Sequence, residues 1–172
     1  ARLTPEDDMQ QFSPFTFGTR VNAGLAEVRP HVEAALKAQG FGILTEIDFA
    51  GAMKTRLGIE REPLVILGAC NPPLANRAVT ASPAIAALLP CNVVLRQDGA
   101  TTVIEAMDPI AALGLADSPE IREVAEDAAE RLRRAIALVE AGACPLLPLE
   151  RRLHAADPPE NPPWPPRPPR SA

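Results

Sequence analysis

Residues 91–107 read Cys91-Asn92-Val93-Val94-Leu95-Arg96-Gln97-Asp98-Gly99-Ala100-Thr101-Thr102-Val103-Ile104-Glu105-Ala106-Met107. Two strand-forming runs, 91–97 and 100–107, flank Asp98-Gly99, a dipeptide that supplies the positive φ angles of a two-residue type I′ turn. The segment predicts a β-hairpin. With Asp98 and Gly99 as the loop, Gln97 faces Ala100 and Cys91 faces Ala106. Cys91, Val93, Leu95, Ile104 and Ala106 then share an apolar face, while Asn92, Val94, Arg96, Thr101, Val103 and Glu105 form a more polar one. A sheet with one apolar face must bury it under another layer, which points to an α+β, two-layer sandwich.

The rest of the chain supplies both layers. Residues 41–48 alternate, with Phe41, Ile43 and Ile47 expected on one face; residues 64–70 form an unbroken apolar run suited to a central strand. Residues 15–21 make a plausible first strand. The clearest helix is 119–141, where Ile121, Val124, Ala125, Ala128, Leu132, Ile136 and Val139 recur at helical spacing. Ser118 suits its cap, Pro119 its first turn and Gly142 its exit. A second helix is expected over 24–39, with Leu25, Val28, Val32 and Leu36 inward and Gly40 as the stop, although Pro30 interrupts the pattern. Shorter helical pieces open at Asp48, Asn71-Pro72, Ser82-Pro83 and Asp108-Pro109, each with a capping side chain. The expected fold is a mostly antiparallel sheet covered by two longer helices, with short connecting helices.

With 172 residues, 47% of them hydrophobic, the chain has apolar side chains for one core and hardly for two. Half of its 20 prolines fall between positions 145 and 169. Proline supplies no backbone donor and favours extended polyproline II, so residues 143–172 read as a Pro-rich tail. Its sharper reading is a ligand for an aromatic-lined groove on a partner protein, anchored by Trp164. Residues 1–12 read as a polar leader and 13–142 as the domain. A net charge of -5 and an aromatic content of 3% argue against nucleic acid, which needs clustered cations and stacking rings. No run reaches the roughly 20 apolar residues of a membrane span, and the acidic start lacks the pattern of an export signal. Three cysteines, Cys70, Cys91 and Cys144, are too few for a disulfide framework and fit a reducing cytoplasm.

Three segments in order, Gly40-Phe41-Gly42-Ile43-Leu44-Thr45-Glu46-Ile47-Asp48, Leu67-Gly68-Ala69-Cys70-Asn71-Pro72-Pro73-Leu74-Ala75 and Leu88-Leu89-Pro90-Cys91-Asn92-Val93-Val94, resemble the DUF302 family. The resemblance covers residues 15–139. It implies a two-layer β-α-β4-α fold of the TATA-binding-protein-like kind and a homodimer. It brings no established activity and no cofactor, and fold analogy alone does not import DNA binding.

The chemistry-bearing positions within those segments are Glu46, Asp48, Cys70, Asn71, Cys91 and Asn92. Each Cys-Asn step falls at an expected strand end. One reading makes each Asn a cap where the chain leaves or enters a helix and each Cys a small core hydrophobe. The other has both thiols converge at one end of the sheet, to bind a small ligand, to hold a soft ion such as Cu(I), or to cycle between dithiol and disulfide. A thiol-dependent enzyme is the alternative, with Cys70 activated by the dipole of the helix opening at Pro72. A third reading is an interaction module that works through the Pro-rich tail. Glu46 and Asp48, two apart on one strand face, form either paired carboxylates or an Arg partner and a helix cap. The GxGxxG, Walker A, GxSxG and HExxH patterns are absent.

Overall fold

The structure, a computed structural model, describes residues 9–141. The Pro-rich tail and Cys144 lie outside the described residues. Six antiparallel strands form one sheet in the order β1-β2-β6-β5-β4-β3. The strands are β1 (Gln10–Ser13), β2 (Thr16–Val21), β3 (Gly42–Asp48), β4 (Leu64–Cys70), β5 (Cys91–Asp98) and β6 (Thr101–Met107). Helices α1 (Leu25–Ala38) and α5 (Pro119–Glu140) pack on one face of the sheet and on each other. Shorter α2 (Phe49–Leu57), α3 (Pro72–Ala81) and α4 (Pro109–Leu113), with a 3-10 turn at Pro83–Leu88, complete the connections. The two-layer α+β architecture is the one the hairpin face demanded. Strand β1 begins inside the segment expected to be a leader, and it extends the sheet beside β2.

Capping follows the sequence signals except at Ser82, which makes no side-chain cap hydrogen bond to the 3-10 turn it opens. Asp48, Asn71, Asp108 and Ser118 each accept a backbone N–H from the first turn of the following helix. Helix α1 runs through Pro30, which removes one backbone donor in the second turn without ending the helix. Gly40 follows α1 at φ 83°, a backbone that favours glycine.

Two expectations are corrected. The hairpin closes one residue later than expected: Asp98 faces Thr101, so Gly99 and Ala100 are the loop and Val93 faces Ala106. Gly99 takes φ 58° while Ala100 stays out of the left-handed region, which is the pattern of a type II′ turn rather than I′. The pairing shift is even, so every side chain keeps its expected face. In β3 the expected sharing of one face by Ile43 and Ile47 fails. A bulge between Ile43 and Thr45 puts Ile43 across from Ala69 on the helix side, whereas Ile47 pairs with Ile66 on the opposite side and is 48% exposed.

The interior has two adjoining parts. One lies between the sheet and α1 and α5, around Phe17, Leu36, Leu67, Leu95, Ile104 and Leu132. The other gathers Leu74, Ala78, Ile85, Leu113, Ile121 and Val124 from α3, the 3-10 turn, α4 and the first half of α5.

Candidate functional site

An open apolar pocket with about 20 Å³ of internal free space lies where these two parts meet. Phe41, Ala69 and Cys91 line it from the sheet side, and Leu74, Ala78, Leu113, Val124 and Ala128 from the helical side. Cys70, Asn71, Ala75 and Leu89 complete the wall. Strands β4 and β5 pair Ala69 with Cys91, so the last residue of β4, Cys70, stands diagonally beside the first residue of β5. Both cysteines line the pocket, and Cys70 lies close enough to act electrostatically on the Cys91 thiol.

Cys91 is buried and Cys70 half-buried; both are free thiols. Burial pushes the Cys91 thiol up to about 11, and the neighbouring Cys70 adds to that. Burial also raises Cys70. On the thiol-enzyme alternative the dipole of α3 lowers it, whereas burial in the apolar wall acts in the opposite direction. Both thiols are protonated at neutral pH, which is the opposite of what a nucleophile needs.

Asn71 is 8% exposed, and its Oδ1 accepts the Leu74 N–H at 3.3 Å, capping α3. Its amide nitrogen sits 2.9 Å from where a Cβ on Gly40 would stand, so the glycine lets the end of α1 approach the pocket rim. Asn92 goes elsewhere. It is exposed on the other face of the sheet, opposite Gly68, and opens no helix, because β5 continues straight through it.

The two carboxylates also lie apart from the pocket and are engaged. Glu46 takes both ends of the Arg29 guanidinium, at 2.7 and 2.5 Å, and Arg29 also donates to Glu33 at 2.9 Å. The β3 bulge explains this: it turns Glu46 toward the helix side, where α1 presents Arg29. Asp48 caps α2 by accepting the Gly51 N–H at 2.9 Å. Among the described residues no group of three or more His, Cys, Asp or Glu is placed to hold a metal ion. No helix among them is long and apolar enough to cross a membrane.

The sequence pointed to the rim of the pocket and missed its apolar floor. Val124 and Ala128 were marked as inward by helical spacing, but nothing in the sequence tied that face, or Leu74 and Leu113, to the cysteines.

Comparison with known proteins agrees with this description. Residues 17–139 match the family described as a domain of unknown function, DUF302. The fold is similar to the crystal structure of an uncharacterised conserved DUF302 protein from Bacillus stearothermophilus, with a TM-score of 0.67 and 30% identity over 72% of this chain and 97% of that one. No curated protein matches the sequence.

Proposed function

The chain belongs to the DUF302 family, and from that premise we propose that it is a non-enzymatic binding module whose pocket at Cys70 and Cys91 takes a compact, largely apolar molecule. One observation carries this: two thiols from neighbouring strands and a set of aliphatic side chains from three helices line the same open pocket. Pockets of this kind draw affinity from apolar walls and orientation from a few polar groups, here the two thiols and the Asn71 amide. The raised thiols count against the thiol-enzyme alternative, because a protonated sulfur is a poor nucleophile. The proximity of Cys70 to Cys91 also supports a second reading, a soft ion such as Cu(I) held by both sulfurs or a dithiol that closes to a disulfide.

Xenon is a suitable probe, since apolar cavities accept it and it is small and monatomic. In methyl-labelled protein, xenon should shift the resonances of Leu74, Leu113 and Val124, and Ala75→Leu, which fills the half-buried edge of the pocket, should abolish those shifts. Unmoved methyls at saturating xenon pressure would overturn the apolar-ligand reading. Native and denatured masses of protein purified without air separate the second reading: retained copper or a denatured mass two hydrogens light supports it, and a bare reduced chain removes it.

A further inference from the structure

The free space in the pocket is room for about one molecule of water's size, so a larger guest has to displace a wall. The wall supplied by α3 and the 3-10 turn is the least tied. Strands β4 and β5 pair Ala69 with Cys91, so the segment between them leaves the sheet and returns to it at adjacent points. Both ends are held. Asn71 lies against Gly40, and the Pro90 ring packs over Gly68, 2.7 Å from where a Cβ would stand. Between those ends, and among the described residues, no backbone hydrogen bond runs from 72–89 to any part of the chain beyond the segment and its Asn71 cap. Helix α4 differs, because the Asp108 N–H donates to the Phe15 carbonyl at 2.8 Å and the Asp108 carboxylate meets Arg133 at 3.4 Å. Residues 72–89 are kept down by Leu74, Ala78 and Ile85, which bury against α4 and the first half of α5. The one ion pair across that contact, Arg77 with Glu123 at 3.4 Å, is exposed and contributes little.

We propose, resting on the binding reading above, that residues 72–89 form a flap that lifts from α5 as one unit and gates the pocket. A segment with few buried apolar side chains and no backbone bonds to its neighbours opens at lower free energy than the sheet beneath it. Because its two ends are adjacent and held, the flap turns about one edge and breaks no strand pair. Lifting carries Leu74, Ala75 and Ala78 away from the pocket and leaves Phe41, Ala69 and Cys91 on the sheet side. The two cysteines mark that edge, since Cys70 ends β4 just before the flap and Cys91 opens β5 just after it. Cys91 is 7% exposed with the flap down and meets solvent when it lifts. A guest enters while the flap is up and is sealed from water when it closes.

Thiol labelling and amide exchange of the full chain in a urea series test the flap. Trypsin cuts at Arg77, which puts Cys70 and Cys91 on separate peptides, so the initial rate at which iodoacetamide labels Cys91 is read alone. Cys91 labelling and α3 amide exchange should share one shallow dependence on urea. Both should report an open state populated roughly tenfold or more above the global unfolding seen at the Leu67 and Val93 amides. Two variants that each remove one methyl separate the sides of the seam. Ile85→Val, in the flap, should raise Cys91 labelling roughly two- to tenfold. Ile136→Val, between α5 and the sheet, should speed exchange at Leu67 and Val93 and leave Cys91 labelling unchanged. Cys91 labelling that follows Leu67 and Val93 in urea, or that rises with Ile136→Val as much as they do, overturns the flap, because the thiol is then reached only when the whole domain unfolds. The wild-type urea series decides this even where a variant does not fold. The pocket fails separately: methyls unmoved by xenon beside a labelled Cys91 remove the guest and keep the flap, and shifted methyls beside a protected Cys91 do the reverse.

Discussion

Asn71 joins three parts of the molecule through one side chain. Its oxygen caps α3, its nitrogen side lies against Gly40 after α1, and its body forms part of the pocket rim. Asn71→Ala removes the cap and should cost about 1–2 kcal/mol, read as a lower urea midpoint at unchanged slope. Asn71→Ser keeps an oxygen that can accept the Leu74 N–H and should recover most of that loss. Equal losses in the two variants would mean that the contact with Gly40, rather than the cap, carries the stability. The cap was legible in the sequence because Asn-Pro before an apolar helix face is a local signal. The same signal failed at Asn92, where Pro90 precedes the Cys-Asn step and the next residues alternate as a strand. The roles of Glu46 and Asp48 were among the alternatives their positions allowed, but Arg29 as the partner of Glu46 depends on which way β3 turns, and that is set by the bulge.

Among the elements, the hairpin and β3 show how far periodicity reaches. Alternation identified the core face of β5 and β6 correctly even though the loop was placed one residue early, because an even register shift leaves every side chain on its side. Turn chemistry was the weaker guide, since Asp98-Gly99 and Gly99-Ala100 both suit a two-residue loop. In the observed turn only Gly99 needs a left-handed backbone. Gly99→Ala should therefore destabilise by about 1 kcal/mol, whereas Gly99→Asn, which tolerates that region, should cost less. Thermal melts compare the two, and equal stability of Gly99→Ala and wild type would contradict the turn assignment. The β3 bulge had no counterpart in the sequence. A bulge adds one residue to a run whose composition is otherwise regular, so the expected face of Ile47 was wrong while the existence of the strand was right.

At the scale of the whole molecule, α5 ties the two parts of the interior together. Its 22 residues span about 33 Å, with Ile121 and Val124 in the helical part and Leu132 and Ile136 over the sheet. Cys91 sits at the seam between those parts, and its titration should report on their fit. A thiol held at about 11 when folded, against 9.0 in its ordinary state, favours the folded chain only while it is protonated. The stabilisation is complete below pH 9 and declines as the pH rises toward and through 11, to a total of about 3 kcal/mol if the pocket admits no water on ionisation. Stability measured by urea unfolding should therefore fall between pH 9 and 11 in the wild type. The comparison that isolates the thiol is Cys91→Ala, whose decline should be shallower across that window. Parallel declines in the two proteins would place Cys91 in contact with water and make the seam wetter than its aliphatic lining implies. A steeper wild-type decline would place the buried sulfur between the sheet and the helical part, so that ionising one side chain loosens both.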